Sequence, residues 1–200
     1  MVEDVIWATP LYEFLRQCNA SPLEKRVLDC GAGGSDPPLS LFYRYGYRTC
    51  GIEIADEALA KAQRFCQEQG MALNIFCGDM RRVPFASGAF SFVYSFNAIF
   101  FMTKPDIEIA MAEIERVLTP GGLCYVNFVS VDDPDDRPFC ETAPARHLLK
   151  SERFAKHDDD EADAYFQNFE VIRKEKQLID KLHGRGRLEQ AYIEYIARKV

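Results

Sequence analysis

Positive charge is scarce in this chain. Lys and Arg total 24 against 31 Asp and Glu, for a net charge of −7. Phosphate backbones are held by clustered Lys and Arg, so no nucleic-acid partner is expected. No run approaches the roughly 20 apolar residues of a membrane-crossing helix, so no membrane partner is expected either. The acidic start, Met1-Val2-Glu3-Asp4, has no apolar stretch behind it, which argues against a secretory leader. The Cys-x-x-Cys spacing is missing, and seven cysteines is an odd count. Zinc ribbons and thioredoxin-type redox chemistry are therefore unsupported, and reduced thiols in a cytoplasmic protein are expected. Histidine is rare. His147, His157 and His183 lack metal-ligand spacing, so surface or loop positions and no metal are expected. The acidic runs 132–136 and 157–161 read as a solvated loop and an acidic helix start.

What is present is an alternation of short apolar runs and amphipathic stretches in a length that suits one domain over 1–200. Residues 5–18 are expected to form one helix or two short ones before a turn at 19–22. Strands are expected at 26–30, 48–53, 73–77, 90–96 and 123–129. Ser35 or Asp36 is expected to cap a helix that Gly46 ends. A second helix carries Ala58, Leu59, Ala62, Phe65 and Cys66 on one stripe and stops at Gly70. A third carries Ile107, Ala110, Met111, Ile114, Val117 and Leu118 at helical spacing, and Thr119-Pro120-Gly121-Gly122 breaks it. From 130 to 158 periodicity disappears and Asp and Pro accumulate. This reads as an excursion or lid within the domain. A short helix at 161–169 and a hairpin of strands 169–178 and 188–198 follow. Strands alternating with helices imply an α/β, doubly wound, Rossmann-like parallel sheet with an antiparallel closing hairpin.

The chemistry concentrates at Val27-Leu28-Asp29-Cys30-Gly31-Ala32-Gly33-Gly34 and Gly51-Ile52-Glu53-Ile54. An apolar strand ends in an acid and a glycine turn, and the next strand ends in a second acid. Gly33 and Glu53 are 20 positions apart, about one βαβ unit, which suits an adenosine-type cofactor. The glycines allow close backbone approach, and the two Glu53 oxygens can accept from the two ribose hydroxyls.

These residues resemble class I S-adenosylmethionine (SAM)-dependent methyltransferases of the small-molecule type. Residues 27–34 match the family's first motif and 51–54 the second. Cys77-Gly78-Asp79-Met80 matches the adenine motif, 90–96 the strand bordering methyl transfer, and 116–122 the turn before the fifth strand. Relatives often carry a His in the segment that reads Phe100-Phe101-Met102 here. The resemblance implies seven strands in the order 3-2-1-4-5-7-6, one of them antiparallel. It implies SAM as co-substrate and a small-molecule acceptor, with oligomeric state left open. Gly31, Ala32 and Gly33 would lie against the methionine part of SAM, with helix N–H groups favouring its carboxylate. Asp29 would receive its ammonium, or else hold the loop N–H groups. Glu53 would take the ribose, Ile54 pack on adenine, Asp79 accept from the adenine amine and the Met80 N–H meet a ring nitrogen. The Phe96 carbonyl would face the SAM amine, and Asn97 would touch the acceptor or cap a turn.

Two rivals differ in class. A NAD(P)-dependent oxidoreductase would want a glycine where Asp36 stands. A non-catalytic SAM-binding regulator or degenerate subunit would bind SAM without transfer, consistent with no evident general base in the sequence.

Overall fold

The computed structural model describes residues 10–134, 155–183 and 186–200, and of 181–183 and 186–188 only the backbone. Eight strands form one sheet: β1 (Arg26–Cys30), β2 (Arg48–Glu53), β3 (Ile75–Cys77), β4 (Phe90–Ser95), β5 (Leu118–Ser130), β6 (Lys156–His157), β7 (Phe169–His183) and β8 (Gly186–Lys199). Their order is β3-β2-β1-β4-β5-β8-β7, with β6 paired to β5 off this path. The expected sixth and seventh strands are β7 and β8, so the expected order holds. β8 alone runs antiparallel to its neighbours β5 and β7.

Helices cover both faces. α1 (Pro10–Ala20) and α2 (Leu39–Arg44) bury Phe14, Leu15 and Phe42 against Val27, Phe92, Tyr94 and Tyr125. α3 (Asp56–Gln69) lies toward the β2–β3 edge and fully buries only Ala62 of its expected stripe. On the opposite face α4 (Lys104–Val117) buries Ile107, Ala110, Met111, Ile114 and Val117, as its spacing requires. The Thr103 hydroxyl caps α4 by accepting from the Asp106 N–H at 3.4 Å.

Several expectations need correction. Neither Ser35 nor Asp36 caps α2. Pro38 stands at its N-cap without a side-chain bond, and the helix is one and a half turns long. β3 starts at Ile75 because Asn74 is left-handed (φ 57) and its amide donates to the Thr49 and Ala72 carbonyls. The Thr119–Gly122 break does not precede the fifth strand but lies inside it. Partners step from Phe90↔Leu118 to Phe92↔Leu123 across a bulge. Gly122 fits there because a Cβ would come 2.8 Å from the Ser91 carbonyl oxygen.

The expected excursion lies outside the described residues over 135–154. His147, and residues 5–9 of the expected first helix, also lie outside them. Where the excursion rejoins, the structure has a strand instead of a loop. β6 pairs parallel to β5 at Val129 and Ser130. Val129 also pairs with Tyr192 of β8, so β6 takes the β4 side of β5, past the last β4 pair, Ser95↔Val126. His157 is consequently fully buried rather than at the surface. It packs on Phe128, and its Nε2 lies 3.1 Å from the Tyr165 hydroxyl. The described acids of the two runs are partly tied by β7: Lys174 pairs with Asp160, and Lys176 with Asp132 and Asp159. These exposed pairs are worth little individually.

Ile114 is fully buried at the centre of the α4 face. Ile114→Ala is expected to lower unfolding stability by about 2–5 kcal/mol, read from urea denaturation. A loss below about 1 kcal/mol would mean that this face is not packed as described.

Candidate active site

The glycine loop after β1 is fastened to β2 and α3. The Gly31 and Ala32 N–H groups both donate to the Ile52 carbonyl, at 2.9 and 3.0 Å, and the Gly34 N–H donates to the Ala58 carbonyl at 3.0 Å. The Gly33 N–H donates to Glu53 Oε2 at 3.0 Å, and the Ala55 N–H donates to Glu53 Oε1 at 2.8 Å. These loop N–H groups are committed within the protein and are a separate set from the helix N–H groups expected to favour the carboxylate. The loop offers close approach instead. Gly31 has φ +106, and a Cβ there would sit 2.3 Å from the Ala98 Cβ. A Cβ on Gly33 would sit 2.5 Å from Glu53 Oε2. Met80 and Ala98 both converge on Gly31.

Asp29 does not hold the loop N–H groups either, since they are all committed elsewhere. It is buried at 1% exposure, and its Oδ2 has no hydrogen-bond partner. Burial pushes its carboxyl up to about 8, against the pull of the neighbouring Tyr94 hydroxyl, and the Glu53 charge adds to the rise. Tyr94 is its register partner on β4, and the Tyr94 hydroxyl is likewise buried without a partner.

Asp79, two residues past β3, accepts from the Arg81 N–H at 2.9 Å and from the Arg81 guanidinium at 2.7–3.1 Å. Burial raises its carboxyl, but the Arg81 contacts outweigh this and hold it below the usual range. Arg81 also reaches Asp106 at the start of α4. Asn97, just past β4, is left-handed at φ 53. Its N–H donates to Asn127 Oδ1 at 2.8 Å, and its Oδ1 accepts from Asn127 Nδ2 at 2.7 Å. The half-buried Phe96 ring lies 6.1 Å from that of Tyr125.

Residues 28–126, which span this arrangement, match the family model described as a methyltransferase domain. The chain belongs to the class I SAM-dependent methyltransferases. It is 36% identical over 103 residues to the demethylmenaquinone methyltransferase of Thermus thermophilus, covering 51% of this chain and 46% of that one. It is 30% identical over 100 residues to the sterol 24-C-methyltransferase ERG6B of Gibberella zeae, covering 49% of this chain and 26% of that one. The chain thus spans less than half the length of these curated relatives. The Burkholderia thailandensis 1,6-didemethyltoxoflavin-N1-methyltransferase, solved with 1,6-didemethyltoxoflavin and S-adenosylhomocysteine, superposes with a TM-score of 0.66 at 15% identity. That likeness covers 96% of this chain and 77% of the other, and it concerns the fold.

The methyltransferase fold gathers Asp29, Gly31, Ala32, Gly33, Glu53, Ile54, Asp79, Met80, Phe96 and Asn97 at the carboxyl ends of β1 to β4, where open α/β sheets bind ligands. Sequence reasoning missed Arg81, Asn127 and Tyr94. A signal existed for one of them: Asn127 is a polar residue inside an otherwise apolar strand run. No cluster of His, Cys, Asp or Glu able to hold a metal occurs among the described residues.

Asp29 generates a pH prediction for the ligand-free protein. Its folded value, about 8, lies above the unfolded value of 3.8. Between these values the folded chain holds a proton that the unfolded chain has lost. Its contribution is therefore fully present at low pH and is lost as pH rises toward about 8. Asp29→Asn is expected to flatten this decline and to exceed wild-type stability above about pH 8 by about 2 kcal/mol or more. Urea denaturation across pH measures it. A mutant with the wild-type slope would show that Asp29 is ionised throughout.

Proposed function

We propose that the chain transfers the methyl group of SAM to a small-molecule acceptor. The observation that carries this reading is the set of three carboxylates, Asp29, Glu53 and Asp79, at the ends of the adjacent strands β1, β2 and β3 around a loop in which Gly31 and Gly33 leave no room for a Cβ.

The residues fit SAM. A buried carboxyl with an unpartnered oxygen suits an ammonium group, and Asp29 supplies one. A carboxylate has about four acceptor sites, and two backbone N–H groups take two of those on Glu53. Two remain for the ribose hydroxyls. Asp79 is more heavily engaged, so reading the adenine amine requires sharing with Arg81. The Met80 N–H would meet a ring nitrogen, Ile54 would cover adenine, and the Phe96 carbonyl would turn to the amine of SAM. The Asn97 oxygen is engaged with Asn127, which leaves its amide nitrogen toward an acceptor.

A sulfonium methyl is already activated, so the protein contributes by alignment and exclusion of water. The rigid Asn97–Asn127 pair fixes the β4 end where alignment matters. One domain over 1–200 accounts for the described sheet. A cytoplasmic, reducing setting suits the free thiols of the six described cysteines.

Glu53→Ala is expected to weaken SAM binding about tenfold or more, because a paired carboxylate contributes about 1.5–3 kcal/mol. Calorimetry giving equal affinities would remove the ribose assignment. SAM binding by wild type near neutral pH is expected to release close to one proton, since a cation beside Asp29 brings its carboxyl down from about 8. Titrations in buffers of different ionisation heat read this directly. Zero release would place the ammonium elsewhere. Incubation with methyl-labelled SAM and a metabolite extract tests transfer itself, and SAM binding with no labelled product would leave a non-catalytic SAM-binding protein.

A further inference from the structure

The sheet face under α1 holds a second buried pairing of carboxyl and phenol. Tyr125 of β5 follows Tyr94 in register, one strand further from β1. It is 1% exposed, and its hydroxyl has no hydrogen-bond partner. Beside it lies the carboxyl of Glu194 on β8, a buried residue directly across from Asn127. Asn127 in turn pins Asn97 at the carboxyl end of β4, and Phe96 packs on Tyr125. The pair therefore sits one strand beyond Asp29 and Tyr94, on the side of the β4 end away from the glycine loop. Each buried unsatisfied polar group costs about 1–3 kcal/mol. The SAM reading above gives the first pair a use and leaves the Tyr125 hydroxyl without one.

We propose that Glu194, with Tyr125 beside it, takes the proton lost by the acceptor atom, and that the acceptor is therefore a molecule whose methylated atom carries a removable proton, such as an ammonium or an acidic N–H or C–H. The inference rests on the methyl-transfer reading above. The bookkeeping closes without another reagent. The acceptor atom supplies an electron pair to the methyl carbon. The carbon–sulfur bond breaks and leaves its pair on sulfur. The acceptor proton passes to the Glu194 carboxylate. It then leaves through a cavity of about 10 Å³ lined by Pro10, Tyr125, Arg173 and Glu194, which is room for one water.

The surroundings suit a proton acceptor. Gln177 of β7 donates to Glu194 Oε2 at 3.0 Å. Burial and Glu175 raise the carboxyl, while Tyr125 and Arg173 lower it, and the balance stands at about 7. Tyr192 lies nearby on the same strand. From α1, Glu13 is close enough to Arg173 to feel its charge. The Tyr125 phenol is held neutral by burial and by the Glu194 charge, so it does not compete for the proton.

The test uses the full chain, methyl-labelled SAM and a small-metabolite extract from about pH 5.5 to 9, with S-adenosylhomocysteine calorimetry alongside. Wild-type transfer is expected to rise with pH through a midpoint near 7. Glu194→Gln is expected to lose about 100-fold or more in transfer at saturating SAM, and to lose the rise. Its affinity for S-adenosylhomocysteine should change by less than about twofold. Glu194→Asp should recover part of the rate, and Tyr125→Phe should move the midpoint upward. Glu194→Gln working at the wild-type rate with the same rise overturns the proposal, as does parallel loss of S-adenosylhomocysteine affinity. If Glu194→Gln does not fold, unmoved midpoints in both Glu194→Asp and Tyr125→Phe overturn it. Wild type transferring no label would instead sink the methyl-transfer reading, and this inference with it.

Discussion

The Glu53 carboxylate is the clasp on which the site depends. One oxygen accepts from the loop after β1, through Gly33, and the other accepts from the entry to α3, through Ala55. Two turns that are distant in sequence are thereby held at the end of β2. The clasp requires Gly33, because a Cβ there would collide with the carboxylate and with Ala58. Charge-assisted bonds of this kind are about twice as strong as neutral ones. The same carboxylate keeps further acceptor capacity, so the group that organises the loop is also the one proposed above to take the ribose.

Around this clasp the sheet carries more polar cost than a purely structural core would. Asp29, Tyr94 and Tyr125 sit side by side on adjacent strands, each with an unpartnered atom. They are roofed by aromatic rings: Phe14 lies 6.2 Å from Tyr94 and 6.0 Å from Tyr125, and Phe42 stacks on Tyr94 at 5.1 Å. The low-dielectric roof strengthens any interaction made beneath it and equally penalises a missing one. On the reading proposed above, the stability given up at these groups is recovered when a cation or a proton reaches them. Such an exchange of stability for function is expected where buried polar groups gather at strand ends.

Much of this architecture was legible in the linear pattern. β1, β2 and the buried face of α4 follow from apolar runs and helical spacing. The acids at 29, 53 and 79 follow from strand ends beside glycines. The α2 cap was misread because Pro37 and Pro38 set the helix start by backbone geometry, not by a neighbouring side chain. The Thr119–Gly122 segment was misread because turn residues can also fill a bulge once a neighbouring strand supplies the pairing. His157 was misread because its acidic flank resembles a surface loop, whereas pairing with Ser130 draws it into the sheet.

By itself, the sequence determined the strand and helix periods, the glycine positions and the carboxylates at strand ends, because these follow from local chemistry and spacing. Only the tertiary structure decided which polar groups share a face and lack partners. That depends on register between strands far apart in the chain, as when Tyr94 meets Tyr125 and Asn127 meets Glu194. A one-residue slip in any of these pairings would turn the side chains to the opposite face. Burial, and with it the perturbed protonation of Asp29 and Glu194, exists only once that register is set.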